Sequence, residues 1–194
     1  HRNIEPIYNF PSPRLVKHRV YDLPLRTSAL RALGAFGNIF AIESMMDELA
    51  EAIKLDPFHF RLKHLNDEHG IQTLIRLQEL VDKDRVNFPQ EAGLGISFAR
   101  YKNSAGYCSL AVLLRVNDDA EVGLIKIFCV VDVGEVVDIS GVRSQVEGGI
   151  VQAASWSLYE QVSYDATGIT SRDWDNYQII SFNNIPEFCI DILD

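Results

Sequence analysis

The sequence predicts an α+β fold, in which an antiparallel sheet meander packs against helices. Helical periodicity dominates residues 40–82, strand-like runs dominate residues 94–133, and a polar linker from Lys83 to Gly93 separates the two patterns. Runs of helices followed by runs of strands are typical of layered α+β domains. We therefore expect one contiguous piece of a larger domain, made of an extended arm and loop segment (1–40), a helical segment (41–88) and a sheet with a long helix (89–194).

The N-terminal part predicts an arm followed by a helix. Residues 1–24 contain four of the seven prolines and show little periodicity, which indicates an extended arm with a short strand at Leu15–Tyr21. From Phe40 onward the apolar residues recur at helical spacing. The apolar stripe of this helix consists of Ile42, Met46, Leu49 and Ile53.

The opposite face of this first helix is acidic and carries Glu43, Asp47, Glu48 and Glu51. Such carboxylates raise two functional possibilities, a metal site and the paired acids of a hydrolase. No histidine lies at ligand spacing among them, and carboxylates at i and i+4 repel each other mildly. We therefore interpret all four as a solvated helix face.

Two further helices and three strands follow. The second helix is expected to begin with Asp56 as its N-cap and Pro57 in its first position. A third helix is expected from His69 to Asp82, and three strands joined by short turns then form the meander. The third strand is apolar on both faces, so we place it at the centre of the sheet under a helix. The strands are predicted at Leu94–Lys102, Tyr107–Val116 and Val122–Val133.

The last third of the chain predicts a long helix and two more strands. The helix begins at about Ser140, which is a good N-cap residue. The strands are expected at Tyr177–Phe182 and Glu187–Leu193. The residues that the helix directs inward are Val142, Val146, Ile150, Ala153 and Leu158.

The composition excludes several classes of function. Eighteen basic against 27 acidic residues give a net charge of −9. This balance argues against a nucleic-acid partner, because no basic patch is available to displace phosphate counterions. The three cysteines are widely spaced and form no Cys-x-x-Cys pair, so we expect buried free thiols in strands and no iron–sulfur cluster or structural zinc in this chain. No apolar run approaches the roughly 20 residues of a transmembrane helix, and we expect no membrane span.

The segment from Pro24 to Ala35 is the strongest candidate for a binding site. It places Arg26 and Arg31 around a Thr-Ser pair, followed by Gly34, which we expect to be a hinge, and by the start of a helix. Arginine suits bidentate contact with oxyanions, and a helix N-terminus offers backbone N–H groups. The residues alone indicate an anion site, with two ordinary surface arginines as the alternative.

A second candidate is the helical segment from Gln145 to Gln152, which contains the adjacent glycines Gly148 and Gly149. A glycine inside a helix costs about 1 kcal/mol relative to alanine. A helix tolerates this cost where a ligand or another backbone comes close. Contact with a cofactor and packing of the helix on the sheet are both open as the reason.

These motifs resemble those of the large, cofactor-binding subunit of bacterial molybdenum hydroxylases, the xanthine dehydrogenase/aldehyde oxidase family, in the branch typified by the isoquinoline 1-oxidoreductase beta subunit. The resemblance extends over nearly the whole chain and is weakest from Glu68 to Gly93. It implies a substrate channel lined by Leu33, Phe98 and Ala99, with Leu33 standing where the family often has phenylalanine. It also implies molybdopterin-binding residues in two groups, which are Arg31, Ala32, Leu33 and Gly34, and Gln145, Glu147, Gly148, Gly149 and Gln152.

The same resemblance implies that parts of the enzyme lie outside these residues. In the family, a glutamate in a Gly-Glu-Pro-like motif acts as the general base, and no Gly-Glu motif follows Glu187 here. We therefore expect the base beyond Asp194 and assign no catalytic residue and no metal ligand within the chain. Because the chain begins with His1 rather than methionine, we expect a piece of a longer protein. Since the parts of the enzyme named above lie outside this piece, we expect it to be inactive alone and to hold no complete molybdopterin.

The partners implied by the resemblance are the remainder of the large subunit and a small subunit that carries a 2Fe–2S cluster. The implied substrate is a small aromatic heterocycle or an aldehyde, with water as the oxygen source. The compartment is open between the bacterial cytoplasm and periplasm. The alternative function is that of a non-catalytic acidic α+β module that docks another subunit.

Overall fold

A four-stranded sheet lies at the centre of this computed structural model, which describes residues 2–25 and 30–193. The strands of the sheet, in spatial order, are β1 (Gly93–Arg100), β2 (Tyr107–Val116), β3 (Val122–Asp132) and β6 (Glu187–Leu193). A separate small hairpin consists of β4 (Tyr164–Asp165) and β5 (Gly168–Ile169). The first three strands pair antiparallel, whereas β6 runs parallel to β3. The α+β class and the three-strand meander are confirmed, and the whole sheet is mixed.

The helices are α1 (Ala35–Ala52), α2 (Pro57–His64), α3 (Glu68–Asp84) and α4 (Ile139–Leu158). Asp56 caps α2 as predicted, since its Oδ1 accepts a hydrogen bond of 3.0 Å from the backbone N–H of His59. Asp67 caps α3 in the same way by accepting a bond of 3.2 Å from Gly70. Short 3₁₀ turns occupy Arg85–Asn87, Tyr101–Asn103 and Phe182–Asn184.

Helices cover both faces of the sheet. On one face Leu74 and Leu77 of α3 share a hydrophobic cluster with Phe128 of β3. On the other face Ile150 of α4 shares a second cluster with Cys129 of β3. Alternate residues of β3 therefore serve two cores, which explains why this strand is apolar on both sides and confirms its predicted central position. All three cysteines are free thiols in strands, as predicted, but only Cys129 of β3 is buried, whereas Cys108 of β2 and Cys189 of β6 are half-buried.

Two predicted strands are wrong. Tyr177–Phe182 forms a turn and a loop, in which the Tyr177 hydroxyl donates to Glu160 at 2.6 Å. Leu15–Tyr21 is exposed and forms no regular secondary structure, and no strand precedes β1 in the described part of the chain. Both segments have strand-like composition, but a strand also needs a neighbour that pairs with its backbone.

The buried side of α1 also differs from the prediction. Leu49 and Ile53 of the expected apolar stripe are 38% and 61% exposed, whereas Glu43 of the expected solvated face is 5% exposed. Glu43 is buried because its carboxylate is fully engaged. It accepts hydrogen bonds from Tyr8 Oη (2.8 Å), Arg61 Nε (2.9 Å) and the Phe98 backbone N–H (2.9 Å).

The first residues of the N-terminal arm are fixed to the helices and the sheet. The Asn3 side chain, 4% exposed, donates to the carbonyl oxygen of Arg100 at 2.8 Å and accepts from the N–H of Lys102 at 2.9 Å. Asn38 of α1 donates from Nδ2 to the carbonyl oxygen of Arg2 at 2.8 Å. The arm therefore holds the beginning of α1 as well as the end of β1.

Candidate functional site

The first candidate segment forms a tight turn that leads into α1. Leu33 N–H donates to the Leu30 carbonyl at 3.0 Å, and Ala35 N–H donates to the Ala32 carbonyl at 3.0 Å. Ala32 and Leu33 have φ values of 65° and 53°, a left-handed conformation that costs a non-glycine residue roughly 1 kcal/mol or more. Gly34, the expected hinge, has an ordinary φ of −70°. The conformational strain therefore lies in the two residues that precede the glycine.

Arg31 extends from this turn to α4. Its Nη1 donates a hydrogen bond to Oε1 of Gln152, which is 121 residues further along the chain. The two candidate segments, widely separated in sequence, thus meet at these side chains. Arg26, the other arginine of the first candidate, lies outside the described residues.

The second candidate segment lies in the middle of α4. This helix begins at Ile139 and is capped by Asp138, whose Oδ1 accepts from the N–H of Ser140 at 3.0 Å. The expected cap, Ser140, is therefore inside the helix. Hydrogen bonding from the Ser140 side chain and from backbone N–H groups lowers the pKa of Asp138 below its usual value, which keeps this cap charged.

Helical spacing separates the predicted α4 residues into two groups. Gln145, Gly148 and Gln152 are three and four residues apart, so they lie along one stripe of the helix, with Gly149 beside it. Glu147 is about 200° around the helix from Gln145 and faces elsewhere. The structure therefore brings Gln145, Gly148, Gly149 and Gln152 to the side that meets Arg31, and does not bring Glu147 there.

Open space lies above the two glycines. A Cβ atom added to Gly148 or Gly149 would meet no described atom within 4 Å, apart from the helix itself. Packing on the sheet is therefore not the reason for these glycines in the described part of the chain. A group from outside these residues can approach the backbone of α4 here.

A second pair of side chains joins α1 to α4. The rings of Phe36 and Trp156 meet edge to face, with centroids 5.6 Å apart and planes at 87°. Trp156 follows Gln152 by four residues and therefore lies one turn further along the same side of α4. Sequence reasoning missed Phe36 and Trp156 as residues of the site, although an aromatic residue one turn after Gln152 is a usable signal.

Phe98 and Ala99 occupy a different place. The Phe98 ring is 1% exposed and packs edge to face with Tyr8 at 6.3 Å, on the face of the sheet covered by α3. The sheet lies between this ring and α4, so the structure does not bring Phe98 together with Arg31 and Gln152. Ala99 is half-buried and pairs with Cys108 of β2. Their place in a substrate channel stays a prediction.

Arg31, Gln145, Gly148 and Gln152 form what we call the α4 wall. Its polar groups are the guanidinium of Arg31 and the carboxamides of Gln145 and Gln152, and it borders open space over Gly148. Such a surface suits an anionic ligand rich in hydrogen-bond acceptors. Among the described residues, no three His, Cys, Asp or Glu side chains are grouped so that they could hold a metal ion. The same residues include no helix that is long and apolar enough to cross a membrane.

Comparison with known proteins gives matches over most of the chain. Two family models match, both described as molybdopterin cofactor-binding domains, one over residues 1–65 and the other over residues 40–186. Arg31 lies in the part matched only by the first model and Gln152 in the part matched only by the second. The Arg31–Gln152 bond therefore connects the two matched regions.

Two curated relatives are similar along almost the full chain. A nicotinate dehydrogenase subunit of Pseudomonas putida is 32% identical over 97% of this chain, and the beta subunit of isoquinoline 1-oxidoreductase from Brevundimonas diminuta is 27% identical over 90%. The chain spans 17% and 24% of the lengths of these relatives. Among solved structures, aldehyde oxidoreductase from Desulfovibrio gigas matches 85% of this chain and 36% of its own, with a TM-score of 0.66 at 12% identity, a likeness of fold.

Proposed function

We propose, from the premise that this chain belongs to the family of molybdopterin cofactor-binding domains, that it is part of the cofactor-binding subunit of an oxidoreductase. The proposed reaction is hydroxylation of an N-heterocycle or oxidation of an aldehyde, with water as the source of oxygen. The observation that carries the proposal is the Arg31–Gln152 hydrogen bond, because it joins the regions matched by two cofactor-binding models at one open surface.

The residues of the α4 wall fit such a cofactor. Molybdopterin is anionic and presents several oxygen and nitrogen acceptors, which match a guanidinium and the N–H groups of two carboxamides. The open space over Gly148 permits close approach to the helix backbone. In this proposal Arg31, Gln145 and Gln152 bind and orient the cofactor, with Ala32, Leu33 and Gly34 shaping the turn beside it. When bound, the molybdenum centre supplies the oxidising equivalents of the reaction.

The proposal includes partners that these residues do not contain. Each of the two curated relatives is named as one subunit of its enzyme, which supports an assembly of several subunits. We expect a small 2Fe–2S subunit to take up the electrons, and the remainder of the large subunit to supply the general base. The cytoplasm and the periplasm of a bacterium are both compatible with this assignment.

The test uses the enzyme that contains this chain, expressed with its partner subunits. Molybdenum and pterin are measured per enzyme molecule for the natural protein, for Arg31→Met and for the control Arg85→Met. Arg85 is an exposed arginine that pairs with Asp82, away from α4. We expect molybdenum and pterin in the natural protein and no change in the control. Arg31→Met should contain less of both, because loss of one charge-assisted contact weakens cofactor affinity by about 10-fold. A protein without molybdenum and pterin would contradict the proposal and favour the docking module.

A further inference from the structure

We propose that Arg31 is a positioning residue, which orients the carboxamide of Gln152 so that Gln152 offers only N–H donors to the cofactor. This inference rests on the proposed function, since it concerns how the α4 wall meets the ligand. Arg31 has this task in addition to its own contact with the cofactor.

The orientation follows from the chemistry of the two groups. A guanidinium has five N–H donors and no acceptor, so a carboxamide can bond to it only through oxygen. Arg31 Nη1 donates to Gln152 Oε1, and this assigns the two ends of the amide. Nε2 of Gln152 then points to the other side. In the described part of the chain, Nε2 has no acceptor, so both of its N–H groups are available to a ligand.

The surroundings hold Arg31 in this place. The turn before α1 keeps Ala32 and Leu33 in the left-handed region, a conformation that requires support from neighbouring contacts. The Phe36–Trp156 contact supplies such support, because it fixes the first turn of α1 against α4 one helical turn beyond Gln152. A hydrogen bond and an aromatic ring contact thus set the distance between Arg31 and α4.

The side chain of Gln152 lies beside the open part of the surface. Gly148 precedes Gln152 by one turn on the same stripe, and a Cβ there would meet no described atom beyond the helix. A ligand that lies over Gly148 therefore has the Nε2 donors of Gln152 at its edge. The chemistry that fits this position is a hydrogen-bond acceptor, such as a carbonyl or an anionic oxygen, and an N–H edge of the ligand would be excluded.

Two substitutions of Gln152 distinguish two roles of this side chain, which are donation of N–H hydrogen bonds to the ligand and mere acceptance of the hydrogen bond from Arg31. In Gln152→Glu the side chain still accepts from Arg31, but it has no N–H to donate. In Gln152→Met the side chain has a similar size, but it can neither accept from Arg31 nor donate to the ligand. If Gln152 only supports Arg31 and makes no contact with the anionic ligand, the glutamate variant behaves like the natural protein and only the methionine variant is impaired.

The experiment measures release of molybdenum from the purified holoenzyme into a chelator, together with the thermal unfolding temperature and with kcat and KM separately. We expect both Gln152 variants to release the metal about 10-fold faster or more, the effect of one lost charge-assisted hydrogen bond, with an unchanged unfolding temperature. Gln72→Glu, on an exposed position of α3 on the other side of the sheet, is the matched control and should leave release unchanged.

A double-variant cycle tests whether Arg31 acts through Gln152. In the Gln152→Met background, Arg31→Met should accelerate release by less than it does alone, because the group it orients is already absent. Full additivity, or natural release rates in Gln152→Glu, would overturn the inference. Either result leaves the proposed function standing as long as the natural holoenzyme contains molybdenum and pterin, whereas their absence would overturn the proposed function itself.

Discussion

Arg61 and Glu43 form an ion pair in the core, with 2.9 Å between Nε and Oε2 and with side chains that are 0% and 6% exposed. The other donors of Arg61 bond to the backbone carbonyls of Glu43 and Ile96 at 3.1 Å each and to the Asp47 carboxylate at 2.7 Å. Among the described residues, no buried polar side-chain atom lacks a partner. This network joins the arm, α1, α2 and β1 through an ion pair and hydrogen bonds, in addition to the apolar contacts between the same elements.

Glu43→Gln should destabilise the chain by about 3 kcal/mol or more, because it leaves the buried Arg61 guanidinium without its principal counter-charge. The free energy of unfolding, obtained from urea titration, measures the effect. Glu48→Gln is the matched control, since Glu48 is exposed on the same helix, and it should change the stability by less than about 0.5 kcal/mol. Equal effects of the two substitutions would contradict a structural role for the ion pair.

Phe36 and Trp156 should be energetically coupled. A double-variant cycle with Phe36→Leu and Trp156→Leu is expected to give a coupling energy of about 0.5–1.5 kcal/mol, the usual range for an edge-to-face aromatic pair. Unfolding free energies of the natural chain, the two single variants and the double variant provide this number. Trp174, which is 75% exposed, is the control partner, and Trp174→Leu should show no coupling to Phe36→Leu.

Gly148 is expected to lower the stability of the chain and to leave the backbone of α4 accessible to a ligand. Gly148→Ala is expected to stabilise the chain by about 1 kcal/mol, because the helix gains a better helix former and the added Cβ meets no described neighbour beyond the helix. In the holoenzyme, Gly148→Leu should lower the molybdenum content, since its side chain fills the open space. Ala153, which was predicted to face inward, is exposed in the structure. Ala153→Leu therefore adds bulk on another, exposed side of α4 and should retain the metal; loss of metal in both variants would indicate a general defect of the helix.

The cap of α4 should make this helix sensitive to acid. The pKa of Asp138 is lowered in the folded chain, chiefly by the Ser140 hydroxyl. The charged cap therefore contributes stability above the ordinary aspartate pKa of 3.8, and this contribution is lost as the pH falls through the lower folded value. Circular dichroism between pH 6 and pH 2 should show less loss of helix in Asp138→Asn, whose cap does not titrate, than in the natural chain.

The sequence carries enough information to predict most of the fold. Asp56-Pro57 marks the start of α2, and the apolar runs on either side of short polar turns mark β1 to β3. The residues of β6 do not indicate that this strand pairs parallel to β3, because an alternating apolar pattern does not specify which strand lies beside it. Helical spacing alone places Glu43 in solvent, because its three donors come from Tyr8, Arg61 and the backbone of Phe98, all distant in sequence.

For the site, the sequence indicates the residue types but not their arrangement. The adjacent glycines Gly148 and Gly149 identify the candidate segment of α4, and the helical period alone then separates Glu147 from Gln145. Gly34 is the residue that the sequence suggests as a hinge, yet the left-handed residues are Ala32 and Leu33. When a residue other than glycine adopts the left-handed conformation, the sequence around it does not indicate this, because tertiary contacts impose the conformation.

The Arg31–Gln152 bond spans 121 positions, and loop-closure entropy makes such a distant meeting one of the later events available to the chain. A nascent or partly folded molecule contains Arg31 and Gln152, but the two side chains have not yet met to form the α4 wall. Under the proposed function, loading of the prosthetic group would then be restricted to molecules whose tertiary structure is already complete.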